Sequence, residues 1–256
     1  MIRRGLKEWP LVAFTLAIQI ACGISIAIEI AEWIDPTANA EIVRRLGIST
    51  FPIVGVGMAV SLLHLGRPSA GWRALVNIRH SRLSVEVLLT LLFALAAGIA
   101  SYSYWSGTNG RFQLGEAVFG LAAVIASSRI YELSSRAFWK AGWVMTSFLA
   151  ATMIACGLAL AAILQGESPA IGTVLLGSSL LLASAVWMWV KRPALDIRSG
   201  WLWTGFAAYL LLIPPTGLLL TTWPGVGLAI PSVTALLGIV AGRFLMFGIA
   251  ELEPPW

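Results

Sequence analysis

Apolar residues run along this chain in blocks of about twenty, with the polar residues gathered between them. The blocks fall at 9–32, 47–65, 84–105, 113–131, 142–164, 170–190, 200–222 and 227–250. About 20 mainly apolar residues in a helix cross the hydrocarbon core of a bilayer, so the pattern predicts an all-α membrane protein, a bundle of eight transmembrane helices. A membrane β-strand would alternate apolar and polar positions. The runs here are continuous, which excludes a β-barrel. The connections are short, so residues 1–256 read as a single polytopic domain without a separate soluble part.

Composition agrees. Hydrophobic residues make up 58% of the chain and charged residues 11%, against about a quarter charged in soluble proteins. Mean hydropathy is +0.85. Arg3 and Arg4 before an apolar run resemble a twin-arginine export signal, but the run that follows is too long for a signal peptide and lacks a small-residue cleavage site. The segment reads as the flank of the first span. Thirteen basic residues fall on one side of the bilayer: Arg3, Arg4, Lys7, Arg67, Arg73, Arg79, Arg82, Arg129, Arg136, Lys140, Lys191, Arg192 and Arg198. Arg44, Arg45 and Arg111 fall on the other, and Arg243 lies inside the last span. Cytoplasmic loops carry the excess of Lys and Arg, so both termini and the loop between the second and third spans are expected in the cytoplasm.

That loop holds the densest chemistry. His64-Leu65-Gly66-Arg67-Pro68 through Ser84-Val85-Glu86 contains both histidines, His64 and His80, with Arg67, Arg73, Arg79, Arg82 and a carboxylate. The two cysteines, Cys22 and Cys156, sit mid-span and read as small packing residues. An iron–sulfur cluster needs four thiolates or a near substitute, so none is expected in this chain. A haem between spans needs histidines at matching depth on different helices, which His64 and His80 do not supply; no haem is expected either. Loops rich in proton-handling groups in a chain without redox centres suit quinone chemistry, in which two protons accompany two electrons. An unperturbed histidine changes charge near neutrality, which makes His64 the natural proton donor and acceptor; Glu86, which opens the third span, would face it if the loop folds back as a hairpin, and Arg67 could steady a quinone oxygen or the carboxylate. An interfacial histidine and positive-inside arginines account for the same residues equally well. No nucleic-acid partner is expected.

Several segments together resemble a known family: Glu8-Trp9-Pro10-Leu11 with Phe14-Thr15 and Gln19; His64-Leu65-Gly66-Arg67-Pro68; Ala74-Leu75 and Asn77; Ser81 to Glu86; and Gly242-Arg243. They look like the membrane-anchor subunits of the dimethyl sulfoxide reductase (DmsC) type. The resemblance implies a quinol or quinone (menaquinone or ubiquinone) site beside His64, with Glu86 contributing. It also implies a ferredoxin-like iron–sulfur electron-transfer subunit docked over that face and a molybdopterin catalytic subunit beyond it, in a bacterial or archaeal cytoplasmic membrane whose lipids surround the spans. A tyrosine often found four residues after Gly-Arg is Phe247 here. Similar anchors serve cytoplasmic Soe-type sulfite-oxidising complexes, which fits the inward basic face. Quinone reduction coupled to sulfite oxidation and quinol oxidation feeding a terminal reductase are therefore both open.

The remaining features have two readings each. Arg243 inside a span costs about 2.5–3.5 kcal/mol on insertion scales, so it should face a partner: Glu116, Glu29 or backbone carbonyls in a structural role, or the quinone itself or a proton path. Arg129 and Tyr131 resemble the family's Arg-x-Tyr, yet they equally suit a membrane boundary. Of Trp72, Trp139, Trp143, Trp201 and Trp203, most read as interface anchors. Pro214-Pro215 interrupts the seventh span, and discontinuous helices occur in secondary transporters. No internal repeat or matching broken helix supports that alternative, and a packing kink explains the pair.

Overall fold

A computed structural model describes residues 9–37, 39–63, 75, 78, 81–108, 112–132, 143–164, 174, 177 and 229–250. Among them are six helices and no strand: α1 Trp9–Ile34, α2 Ala40–Leu62, α3 Arg82–Ser106, α4 Gln113–Glu132, α5 Trp143–Ile163 and α6 Ala229–Ala250. The first five are long and apolar enough to cross a membrane. The runs at 170–190 and 200–222, with Pro214-Pro215, lie outside the described residues, so the structure supports an all-helical membrane protein rather than the full count of eight. One boundary is corrected. The second helix begins at Ala40 instead of residue 47, because Asn39 caps it by accepting from the Ile42 N–H at 3.3 Å. Its first turns project polar residues beyond the apolar run, and Glu41 accepts from Arg44 and Arg45 at 3.3 and 2.7 Å. These exposed pairs add little stability.

The other helix ends carry equally local causes. Ser81 caps α3 through the Ser84 N–H at 3.4 Å. Gly107 ends α3 in the left-handed region at φ 72°, where its N–H bonds back to Ser103 O, a conformation that penalises a Cβ. Between α1 and α2, Asp35 accepts from the Thr37 N–H and hydroxyl at 2.9 and 2.6 Å, and these bonds hold its carboxyl below the usual range.

Successive spans of one bilayer run in alternating directions. The start of α1, the end of α2, the start of α3, the end of α4 and the start of α5 therefore share one end of the bundle, here the near end. α1 is the central helix, packed against α2, α4 and α5, while α3 rests on α2 and α4. α6 joins α1 and α5, with its C-terminal half at the near end, because Phe247 packs edge-on against Tyr131 of α4 with ring centroids 5.4 Å apart.

Lipid is as apolar as the core, so small residues that let backbones approach decide which faces meet. A Cβ on Gly23 would stand 2.7 Å from Cys156 N and Thr152 O, and one on Gly57 would stand 2.6 Å from Ala17 Cβ. These contacts seat α5 and α2 on α1. Cys22 and Cys156 are free and buried, as packing residues should be. Val56, Leu95, Val118 and Leu237 face outward, and Trp33 and Trp105 stand exposed near helix ends at the level of a tryptophan belt. Trp143 is a correction: it is 4% exposed, part of the core with Phe148 and Val144. Its place one residue into a helix suggested an interface, but the flank of α5 on which it lies is covered. Trp72, Trp139, Trp201 and Trp203 lie outside the described residues.

Candidate functional site

Glu86 sits in the second turn of α3 and is 8% exposed. Spacings of three and four place Glu86, Thr90, Phe93 and Ala97 on one stripe of the helix, and all four are buried. The stripe faces α4. At its near end the Ser127 hydroxyl of α4 approaches the Glu86 carboxyl without reaching hydrogen-bond geometry. Further in, Phe93 meets Gly120 of α4, whose missing Cβ would lie 2.9 Å from the ring and 3.2 Å from Cys22 Cβ of α1. Three helices thus converge at that level, and Gln19 of α1 and Thr90 of α3 lie about one turn nearer the Glu86 end.

The polar atoms in this space share one property. Gln19 Oε1 and Nε2, Thr90 Oγ1 and Ser127 Oγ are buried and have no hydrogen-bond partner. Thr15, one turn before Gln19, differs, because its hydroxyl is spent on Val12 O at 3.1 Å. A buried polar atom left unmet costs about 1–3 kcal/mol, and native structures rarely tolerate such a group. Four of them next to a carboxyl, on three different helices, form a cradle with the donors and acceptors that a small polar headgroup requires.

Arg243 lies on the other flank of the same end. It is 2% exposed. Nη1 donates to Ser147 Oγ at 3.4 Å and reaches Met246 Sδ at 3.5 Å, and the guanidinium carbon stands 3.7 Å from the centre of the Phe148 ring. Phe148 in turn packs on Tyr131, with centroids 5.9 Å apart. A guanidinium over an aromatic face gains about 2 kcal/mol or more when desolvated. The expected partners are elsewhere: the Glu116 oxygens have no hydrogen-bond partner, and Glu29 accepts from Trp33 Nε1 at 3.0 Å. Arg243 is therefore held by a ring and a hydroxyl of α5, while Glu116 stands toward the far end in the first turn of α4.

Of the residues singled out from the sequence, Glu86 and Arg243 occupy the same end of the bundle, joined through Ser127 and Tyr131, one turn apart on α4. His64 and Arg67 lie outside the described residues; α2 ends at Leu62, at that same end. Sequence reasoning missed Thr90, Ser127, Ser147 and Phe148. The signal was present for the hydroxyls, as polar residues inside apolar spans, but weak, because a serine or threonine in a membrane helix commonly bonds its own backbone.

This architecture is that of a polytopic helical membrane protein with a polar cradle at one end and no metal-binding group of histidine, cysteine, aspartate or glutamate among the described residues. The profile of the DMSO reductase anchor subunit family, DmsC, matches residues 2–191, and the protein belongs to that family. It is 27% identical over 169 residues to the YnfH subunit of an anaerobic dimethyl sulfoxide reductase of Escherichia coli K12, covering 63% of this sequence and 59% of that one. It is 24% identical over 166 residues to the C subunit of the anaerobic dimethyl sulfoxide reductase of Haemophilus influenzae, covering 61% and 58%. The corresponding C subunit of Escherichia coli K12 is 32% identical over 98 residues, covering 37% and 34%. The matched region thus spans less than two thirds of each relative's length.

Proposed function

We propose that this chain is the quinone-reactive anchor of a molybdopterin oxidoreductase complex. It would exchange electrons between an iron–sulfur partner and the membrane quinone pool. One observation carries the reading: in a DmsC-family protein, the buried Glu86 carboxyl lies at a convergence of three helices whose buried polar atoms have no hydrogen-bond partner among the described residues. Quinone, when bound, supplies two-electron, two-proton chemistry. The residues present fit it. The Gln19 amide can donate to a carbonyl or accept from a hydroxyl, Thr90 and Ser127 can do either, and Glu86 can hold or release a proton at its carboxyl. Phe93 closes the cradle toward the far end, and Tyr131 and Phe148 wall its flank against water. Arg243 places a fixed positive charge near the end where electrons would arrive. His64 and Arg67 complete the proposed site from the loop after α2.

The rest of the eight-span reading belongs to the same proposal, with spans at 170–190 and 200–222, both termini in the cytoplasm, and a basic face that docks the iron–sulfur subunit. The inward basic face favours a cytoplasmic complex that oxidises sulfite and reduces quinone. The names of the relatives favour the reverse flow, with quinol oxidised for a reductase. Either direction uses the same proton transfers at Glu86 and His64.

A photoreactive quinone analogue tests the site. Illumination of the purified complex is expected to label peptides around Gln19, Glu86 to Thr90 and Ser127, with labelling competed by excess quinone and reduced in Gln19→Leu. Label that is not competed, or that falls only on far-end peptides, overturns the placement.

Topology is tested by single cysteines. Both native cysteines are buried, so a membrane-impermeant thiol reagent reports the introduced residue. Arg73→Cys is expected to react only from the cytoplasmic side and Asn109→Cys only from the opposite side. The reverse labelling would move the docking face, and with it the catalytic partner, outside the cytoplasm.

A further inference from the structure

The quinone reading leaves a second buried carboxyl without a task. Glu116 is 0% exposed, and neither of its oxygens has a hydrogen-bond partner among the described residues. Its nearest polar neighbours are the hydroxyls of Ser25 on α1 and Thr50 on α2. Ser25 Oγ donates to Ala21 O at 2.9 Å, and Thr50 Oγ1 lies 3.0 Å from Gly47 O and 3.4 Å from Ser101 Oγ. Ser101 of α3 also donates to Gly47 O, at 2.8 Å. Neither hydroxyl reaches hydrogen-bond geometry with Glu116, so a carboxylate there would have no donor in place. A bare charge within a span is costly as well.

The polar groups near Glu116 continue toward the far end. The titratable groups that interact with Glu116 are Cys22 of α1 and Tyr104 of α3; Glu32 of α1 lies beside Tyr104, and α5 brings Cys156 against Cys22. The Tyr104 hydroxyl lies within electrostatic reach of Glu116, beside Gln113, and donates to Glu32 Oε1 at 3.5 Å. Its ring fits only because Gly47 has no side chain; a Cβ there would collide with it. Glu32 is partly exposed near the end of α1. Toward the near end the pocket is shut by the tight layer of Phe93, Gly120 and Cys22, so it is distinct from the Glu86 cradle.

We propose that Glu116 is a membrane-embedded proton-exchange site served from the far end through Tyr104 and Glu32. The step is a proton transfer alone: the Glu116 carboxyl releases its proton toward the Tyr104 hydroxyl, which passes its own to Glu32 and so to water, and the reverse sequence reloads it. No electron moves and no other bond changes.

Infrared spectra of the full-length protein in lipid vesicles test the proposal. Wild type is expected to show the carbonyl stretch of a neutral carboxylic acid that is lost in Glu116→Gln and displaced in Glu116→Asp, so the assignment does not depend on a single variant. Transfer to D2O should lower its frequency, and Tyr104→Phe should slow that exchange on the order of a hundredfold, the low end of what one positioned proton carrier contributes. A wild-type spectrum without the band overturns the proposal, as does exchange at an unchanged rate in Tyr104→Phe. A band that vanishes when sodium replaces potassium also overturns it, in favour of a sodium site. None of these readouts involves a quinone, so failure here and failure of the quinone reading are separate results.

Discussion

Glu86→Gln is expected to leave the complex assembled and to slow quinone-coupled turnover by about 10²- to 10⁴-fold, the range lost with one positioned acid–base group. The substitution keeps the volume and the hydrogen-bonding shape of a buried side chain on the stripe shared with Thr90 and Phe93, so packing is retained while the exchangeable proton is removed. His64→Asn should act in the same direction. If the two residues serve one quinone, the double variant falls far short of the product of the single losses, because groups that act as a unit are not additive. Oxidation or reduction of the catalytic subunit's substrate with a soluble electron carrier should be unchanged, since that route bypasses the membrane. Wild-type quinone turnover in an assembled Glu86→Gln complex would remove the carboxyl from the chemistry, and Arg243 would become the next residue to test.

Gly23→Leu is expected to prevent accumulation of folded protein in the membrane. The first atom of the new side chain would lie 2.7 Å from two backbone atoms of α5, Cys156 N and Thr152 O, and backbone cannot move aside as a flexible side-chain end can. Overpacking usually costs about 1–3 kcal/mol and sometimes more; here α5 would have to leave the central helix. Gly55→Leu and Gly115→Leu provide the control, because a Cβ at either position meets nothing within 4 Å. Both should accumulate normally. Membrane-fraction yield and detergent thermal stability distinguish the cases, and equal behaviour of Gly23→Leu and Gly55→Leu would show that the close approach of α1 and α5 does not hold the bundle together.

These two predictions draw on different kinds of information. Glu86 could be picked out from its place after a capping serine at the start of an apolar run. Gly23 could not be separated from Gly55, since each is one glycine among apolar neighbours. Arg243 was legible as an intramembrane charge, but not its partners: a stacked Phe148 and Ser147 come from a helix almost a hundred residues away. The identification of Trp143 as an interface residue failed for a related reason. Position along the chain sets a residue's depth, whereas exposure depends on which flank of the helix a neighbour covers.

By itself the sequence determined the membrane class, the positions of the five described spanning helices to within a few residues except at the start of α2, and Glu86 as a candidate at the start of a span. These follow from hydropathy and capping, which are local along the chain. Only the tertiary structure decided that Gln19, Thr90 and Ser127 line one cradle with Glu86, that Phe93 and Gly120 seal it, and that Glu116 belongs to a separate pocket. The physical reason is that a membrane helix is apolar on every side. Its rotation about its own axis therefore leaves little trace in the hydrophobic pattern and is set by where small residues let backbones approach.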